Sequence, residues 1–121
     1  MGVNIMNPKG DIYLVTGNTD MRKSINGLSL IVSDVLEMDP LSRAWFVFCN
    51  RPRDKLKILF WDTNGFWLYY RRLEKGRFKW PVITDELEAI TITQHQLNWL
   101  LSGLSLIVKN AHKPLFYKVN R

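Results

Sequence analysis

Residues Arg51–Pro81 have the sequence RPRDKLKILFWDTNGFWLYYRRLEKGRFKWP, and this segment decides much of the fold. Two stretches in it, Leu56–Trp61 and Phe66–Leu73, are rich in the β-branched and aromatic residues that favour strands. The residues between them, Asp62–Gly65, include an Asn-Gly pair, which tolerates the positive φ angles of tight hairpins. The sequence therefore predicts a β-hairpin, and it leaves open whether the loop has two or four residues.

The flanking sequence extends this hairpin into a larger sheet. Glu74–Arg77 is typical of a turn, and it leads into a short edge strand predicted over Phe78–Trp80, which Pro81 ends. Upstream, Ala44–Cys49 is almost entirely apolar, as expected for a central strand that is covered on both faces. Ile12–Val15 predicts a further short strand. Consecutive hairpin connections make the expected sheet an antiparallel meander of about four or five strands.

Two helices are predicted. Apolar residues recur at helical spacing over Met21–Met38, and Asp20 is a suitable N-cap for that helix. Asp39-Pro40 ends it, because proline disfavours a helical conformation of the preceding residue. Thr93 and Gln96 have the spacing of a capping box. They begin a shorter helix whose inward residues are expected to be Leu97, Leu100, Leu101 and Leu104.

Length and composition indicate one domain of the α+β class. A chain of 121 residues with 46% hydrophobic residues can bury one substantial core. We expect a single domain over residues 1–121, with a compact core at about 10–104 and a tail at 105–121 that is flexible or depends on a partner. The single cysteine excludes an internal disulfide, and the chain has no secretory signal or membrane-span pattern, so a cytoplasmic location is expected.

The excess positive charge of the chain lies in one segment. Arg51–Pro81 has nine basic and three acidic residues, an excess equal to the formal net charge of +6 of the whole chain. Charge concentrated in this way indicates a polyanionic partner, since basic side chains on a sheet can contact phosphates. The alternative is that most of these cations are solvated edge and turn residues that discourage edge-to-edge pairing of strands.

Strand alternation divides these cations into two groups. Arg51, Arg53 and Lys55 lie in the loop before the strand predicted at Leu56–Trp61, and Lys57 can project on the same face as Lys55. Five others are expected to line the far end of the sheet: Arg71, Arg72, Lys75, Arg77 and Lys79. Adjacent Arg71 and Arg72 must point to opposite faces, so one of them is a candidate for an ion pair with Glu74. The candidate nucleic-acid-binding residues are Arg22, Arg51, Arg53, Lys55, Lys57, Arg71, Arg72, Lys75, Arg77 and Lys79.

The aromatic residues of the chain divide between core and surface. Tyr69 and Tyr70 are the better candidates for stacking on bases, since their polar tips tolerate a wet site. The remaining aromatic residues near the basic segment are expected in the core: Trp45, Phe46, Phe48, Trp61, Trp67 and Trp80.

Nothing in the sequence indicates catalysis, a metal or a cofactor. The aspartates lie mostly at predicted caps and turns, where they have local reasons to occur. His95 and His112 are far apart and have no cysteines nearby, so they do not suggest a zinc site. Cys49 ends a strand predicted to be buried and is expected to be an inert core thiol. There is also no glycine-rich phosphate loop.

The chain resembles a known family. The segments TDMRKS, FVFCNR, KLKILFWDTNGFWLYYRRLEKGRFKWP and TITQHQLNWLLSG resemble the TnpB accessory proteins of bacterial insertion sequence family 66 over about residues 8–104. Pro52 stands where a second arginine is usual in that family, and Thr63 where glycine is usual. The resemblance implies a protein that is encoded beside a separate transposase and is needed for the element to move. It implies no catalytic residues, and the cations that match the family pattern are Arg22, Arg51, Lys57, Arg71 or Arg72, and Arg77.

Two functions follow as hypotheses. The first is a non-enzymatic accessory protein of transposition that binds DNA, either the element ends or a transposition intermediate, through the basic segment. The second is a protein-interaction module that docks on the transposase without contacting DNA. The sequence does not distinguish DNA from RNA. Arg22 also has an alternative role, because it can pair with Asp20.

Overall fold

A computed structural model describes residues 8–103 and shows a five-stranded mixed sheet with two helical segments. The strands are β1 Ile12–Val15, β2 Trp45–Cys49, β3 Lys55–Asp62, β4 Gly65–Arg72 and β5 Ala89–Ile92. Their order across the sheet is β4-β3-β2-β1-β5, and the pairings are antiparallel except for that between β1 and β2. The predicted α+β class is confirmed. The predicted tail at 105–121 and the inward Leu104 lie outside the described residues.

The central strand β2 is buried along its whole length, as its apolar sequence predicts. Phe46 and Phe48 point to one face of the sheet, where they pack with Leu59. Trp45 and Val47 point to the other face, into a second cluster. Strand β2 is thus covered on both faces, as expected of an uninterrupted hydrophobic strand.

Strands β3 and β4 form the predicted hairpin, and its register settles the length of the loop. Asp62 pairs with Gly65, so the loop has the two residues Thr63 and Asn64. The residue with a positive φ is Thr63, at 57°, and not one of the Asn-Gly pair as the sequence indicated. A β-branched residue is unfavourable in this left-handed conformation, whereas glycine adopts it freely.

Three features of the sheet differ from the prediction. β1 is parallel to β2, because the helical segment between them returns the chain across the sheet. β5 was not predicted from its four residues, and it pairs with β1. Phe78–Trp80 does not form a strand: Trp80 N–H donates to Phe78 C=O at 3.0 Å, which turns the backbone at Lys79. Its strand-like alternation instead buries Phe78 and Trp80 in the core.

The first helix is shorter than predicted. It comprises α1, Ile25–Leu30, and a π-helical turn at Ile31–Val35, with Ser24 as the N-cap. Asp20 is not the N-cap, because its carboxylate accepts the N–H of Arg22 at 2.9 Å and closes a turn before the helix. The helix buries Leu28, Ile31 and Val32 on the Phe46 face of the sheet.

The second helix, α2 at Gln94–Leu101, covers the opposite face. Its predicted capping box is confirmed: Gln96 N–H donates to Thr93 Oγ1 at 3.0 Å, and Thr93 N–H donates to Gln96 Oε1 at 2.8 Å. Leu97 and Leu100 are fully buried, whereas Leu101 is only partly so.

Candidate nucleic-acid interface

The two predicted groups of cations lie at the same end of the sheet. β3 and β4 are antiparallel, so the start of β3 lies beside the end of β4, and Lys55 pairs with Arg72. After β4, the chain runs alongside the β2–β3 loop and is hydrogen-bonded to it. Leu73 N–H donates to Asp54 C=O at 2.8 Å, and Phe78 N–H donates to Arg53 C=O at 2.7 Å. The expectation of a separate far end was therefore wrong. We call residues 51–57 together with 71–79 the basic end.

Three acidic side chains each pair with one candidate cation. Arg22 Nη2 lies 2.7 Å from Asp20, Arg72 Nε lies 2.9 Å from Glu74, and Lys55 Nζ lies 3.6 Å from Asp54. The Arg72 pair confirms the prediction that one of the two adjacent arginines binds Glu74. Arg22 takes its predicted alternative partner, and its hydrogen bond holds the pKa of the Asp20 carboxyl well below its usual range. Pairs as exposed as these contribute little to stability.

Arg53 is directed into the protein. Its Nη1 donates to the C=O of Gly17 at 3.0 Å, and its guanidinium lies 5.3 Å from the centre of the Trp80 ring. Burial raises the pKa of the neighbouring Cys49 thiol to about 11, although Arg53 acts in the opposite direction. The thiol is therefore protonated at neutral pH. Arg53 links the β2–β3 loop to the segments at Gly17 and Trp80.

Lys57 also makes internal contacts. Its Nζ donates to the backbone carbonyls of Met21 and Lys23, both at 2.8 Å. The same ammonium group lies 5.5 Å from the centre of the Tyr70 ring. Strand β3 thus holds the segment that precedes α1 through one lysine side chain.

The other cations of the basic end are exposed. None of their side chains makes a hydrogen bond or an ion pair with another residue in the range 8–103. Strand alternation places Arg71 on the α2 face, together with Leu56 and Tyr69, whereas Arg72 lies on the α1 face with Tyr70. We call this set the free cations: Arg51, Arg71, Lys75, Arg77 and Lys79.

The aromatic candidates differ in exposure. Tyr70 is 49% exposed, whereas Tyr69 packs against the core on the α2 face. Trp67 was expected in the core but is 52% exposed, because it lies on the edge strand β4 at the outer end of a stacked row that continues through Phe60 and Trp45. The other five aromatic residues predicted for the core are buried, apart from Trp61, which is partly exposed.

A polar pocket of about 480 Å³ lies beside the basic end on the α1 face. One wall is the segment 18–22, which precedes α1, and the other comes from the β2–β3 loop and the strands that follow it. Thr19 is 4% exposed, and its Oγ1 has no hydrogen-bond partner within the described part of the chain. The lining residues are Asn18, Thr19, Asp20, Met21, Arg22, Asn50, Arg51, Lys55 and Tyr70.

Sequence reasoning missed Asn18 and Thr19 as site residues. Neither side chain carries a charge, so charge pattern indicates only Arg22 in this part of the sequence. Thr19 lies near Arg51 because its N–H donates to Cys49 C=O at the end of β2, and Tyr70 joins the pocket only when β3 and β4 pair. The segment 18–22 thus forms one wall of the pocket.

Residues 8–103 hold neither a candidate metal site nor a candidate membrane helix. No group of three or more His, Cys, Asp or Glu side chains there could hold a metal ion. Within the same range, no helix is both long and apolar enough to cross a membrane.

The chain is similar to known proteins. The family model described as IS66 Orf2-like protein matches residues 10–111. Two similar proteins come from Sinorhizobium fredii (strain NBRC 101917 / NGR234). The uncharacterized protein y4hO is 42% identical over 93 residues, which are 77% of this chain and 79% of that protein. The uncharacterized protein y4jC is 32% identical over 93 residues, which are 77% of this chain and 78% of that protein. No solved structure matches. The chain belongs to the IS66 Orf2-like family, the TnpB accessory proteins of insertion sequence 66 transposition.

Proposed function

We propose that this protein is a non-enzymatic accessory factor of transposition that binds DNA through its basic end. The observation that carries the proposal is the set of free cations, which the hairpin gathers at one end of the sheet and which no acidic side chain in residues 8–103 neutralises. Such cations can approach the phosphates of a duplex without first breaking an internal contact. The partners proposed are the ends of the insertion sequence and its transposase.

The other candidate cations have different roles in this proposal. Arg53 and Lys57 bind backbone carbonyls at 3.0 Å or less, so they shape the surface and do not contact phosphates. Lys55 and Arg72 keep acidic neighbours and add to the positive potential, which raises the rate of encounter with DNA. The number of phosphates contacted should therefore follow the free cations.

The salt dependence of binding tests this number. Each neutralised phosphate contributes about −0.9 to the slope of log affinity against log salt concentration, so the free cations together predict a slope of about −4 to −5. We would measure affinity for element-end DNA and for random DNA by fluorescence anisotropy over a salt series. A slope near zero would refute the proposal. Stronger binding of a matched RNA duplex would refute the choice of DNA.

A charge-matched pair of variants locates the surface. Arg71→Ala removes a free cation and should make the slope shallower by about one. Arg43→Ala removes another exposed arginine, which lies just before β2. That end of β2 is far from the basic end, because its first residue, Trp45, pairs with Phe60. Equal effects of the two substitutions would show that net charge matters and not this surface.

Docking on the transposase is the second candidate function, and the exposed Trp67 favours it. A tryptophan that is half exposed and supported by stacked rings is the kind of anchor that dominates protein interfaces. A pull-down with the element's transposase would be lost in Trp67→Ala and kept in Arg71→Ala. The reverse pattern would assign the transposase contact to the basic end.

A further inference from the structure

We propose that the polar pocket beside the basic end binds one unpaired nucleotide of DNA, so that the protein prefers DNA ends or junctions with a single-stranded segment to continuous duplex. This inference rests on the proposed DNA-binding function and names the form of DNA that the site takes. Three observations carry it: a buried hydroxyl and arginine donors that have no partner among residues 8–103, and a half-exposed tyrosine ring.

The buried hydroxyl belongs to Thr19. Its backbone N–H donates to Cys49 C=O at 2.8 Å, which fixes the residue beside the end of β2. Its Oγ1 has no partner in residues 8–103, although a buried polar group without a hydrogen bond is unfavourable. Thr19 lines the pocket, and a small movement of the pocket wall when a ligand binds would expose this buried oxygen to it. A base edge or a phosphate oxygen offers the required hydrogen bond.

The charge of the pocket suits a phosphate group. Arg22, Arg51 and Lys55 line it against one acid, Asp20. Arg22 binds Asp20 through Nε and Nη2, and its Nη1 makes no hydrogen bond with another described residue. Arg51 is exposed and is one of the free cations. Two guanidinium groups on opposite walls can therefore hold one phosphate by charge-assisted hydrogen bonds.

The tyrosine ring indicates an unpaired base. Tyr70 is 49% exposed and lines the pocket, and Lys57 lies 5.5 Å from its ring centre. Aromatic rings stack on bases only where the base has left its own stack, as in a single strand. A pocket of about 480 Å³ lies in the range of sites for small molecules, so it has room for one nucleotide.

The experiment compares two DNA probes on the full chain. One is a blunt duplex, and the other is the same duplex with a short single-stranded thymidine overhang, both measured by fluorescence anisotropy at one salt concentration. The wild-type protein should bind the overhang probe about tenfold more tightly, the effect of one stacked base. Equal affinity for the two probes would overturn the inference. Failure to bind either probe would instead refute the DNA-binding function itself.

Variants assign the preference to the pocket. Tyr70→Ala should bring the ratio of the two affinities close to one, and Thr19→Val should lower it. Lys79→Ala, a free cation that does not line the pocket, should weaken binding of both probes and keep the ratio. A ratio that survives Tyr70→Ala would overturn the inference.

Thr19→Val also separates binding from folding. Valine has nearly the shape of threonine, and the hydroxyl makes no internal hydrogen bond with any described residue, so the melting temperature of the free protein should not fall. Lower stability of Thr19→Val would show that the hydroxyl has a structural partner, and would overturn its assignment as a ligand group.

Discussion

Replacing Lys57 by methionine tests whether this lysine binds the protein itself or DNA. Methionine keeps most of the aliphatic part of the side chain and removes the ammonium group. That group donates to the carbonyls of Met21 and Lys23, both at 2.8 Å, and lies over the ring of Tyr70. The structure therefore predicts that Lys57→Met destabilises the folded protein by releasing the segment before α1.

The size of this destabilisation follows from the contacts that Lys57 loses. A hydrogen bond to a charged group contributes about 1.5–3 kcal/mol, and an exposed cation–π contact adds about 0.5–1 kcal/mol. Because Lys57 is partly exposed, we take the lower part of the range and expect a loss of about 2–3 kcal/mol in the free energy of unfolding. With a urea m-value of about 1.5 kcal/mol/M, the unfolding midpoint should fall by roughly 1.5–2 M.

Lys55→Met is the matched control. Lys55 lies two residues earlier on the same face of β3, and its ion pair with Asp54, at 3.6 Å, is partly exposed. Its removal should cost less than about 1 kcal/mol. Equal shifts of the unfolding midpoint in the two variants would refute the structural role of Lys57. The structural role would also be refuted if Lys57→Met left the stability unchanged and made the salt slope of DNA binding shallower by about one.

Three further substitutions test the local chemistry of the fold. Thr63→Gly should raise the free energy of unfolding by about 0.5–1 kcal/mol, because glycine adopts the φ of 57° without strain. Urea titrations measure the change, and a less stable variant would contradict the strain at Thr63. Thr93→Ala should lower the free energy of unfolding by about 1 kcal/mol through loss of the capping box, and Thr93→Ser should retain most of it. Burial raises the pKa of the Cys49 thiol from 9.0 to about 11. The thiol therefore ionises more readily in the unfolded chain, so its contribution to stability is complete below about pH 9 and is lost as the pH rises through 11. The loss should be about 2–3 kcal/mol larger in the wild type than in Cys49→Ala, and equal pH profiles would show that the thiol titrates normally.

The sheet could be predicted where local sequence determines it. The apolar run at Ala44–Cys49 and the two strands of the hairpin carry their own signals, and the capping box of α2 is a local pattern. The parallel pairing of β1 and β2 has no local signal, since it depends on where the intervening helix returns the chain. The four-residue strand β5 also has no local signal, because it forms only by pairing with β1, which lies far away in the sequence.

The sequence could predict which residues belong to the candidate site, but not which contacts each of them makes. The sequence identified every cation of the basic end, yet it could not sort those that bind the protein from those that face solvent. Lys57 and Arg53 differ from Arg51 and Arg71 only in the carbonyl groups that reach them, which come from residues more than 30 positions away. Charge pattern therefore located the surface, and tertiary contacts assigned the role of each side chain.

The association rate and the equilibrium salt slope of DNA binding should depend on different cations of the basic end. The rate of association with DNA depends on the potential of the whole basic end, including Arg53 and Lys57, because long-range attraction does not require contact. The equilibrium salt slope depends on the phosphates that are contacted, and hence on the free cations. Neutralising Lys57 should therefore slow association at low salt and leave the slope unchanged, whereas neutralising Arg71 should alter both. If both substitutions changed the slope equally, the internal contacts of Lys57 would have to give way when DNA binds, and the basic end would have to rearrange around its ligand.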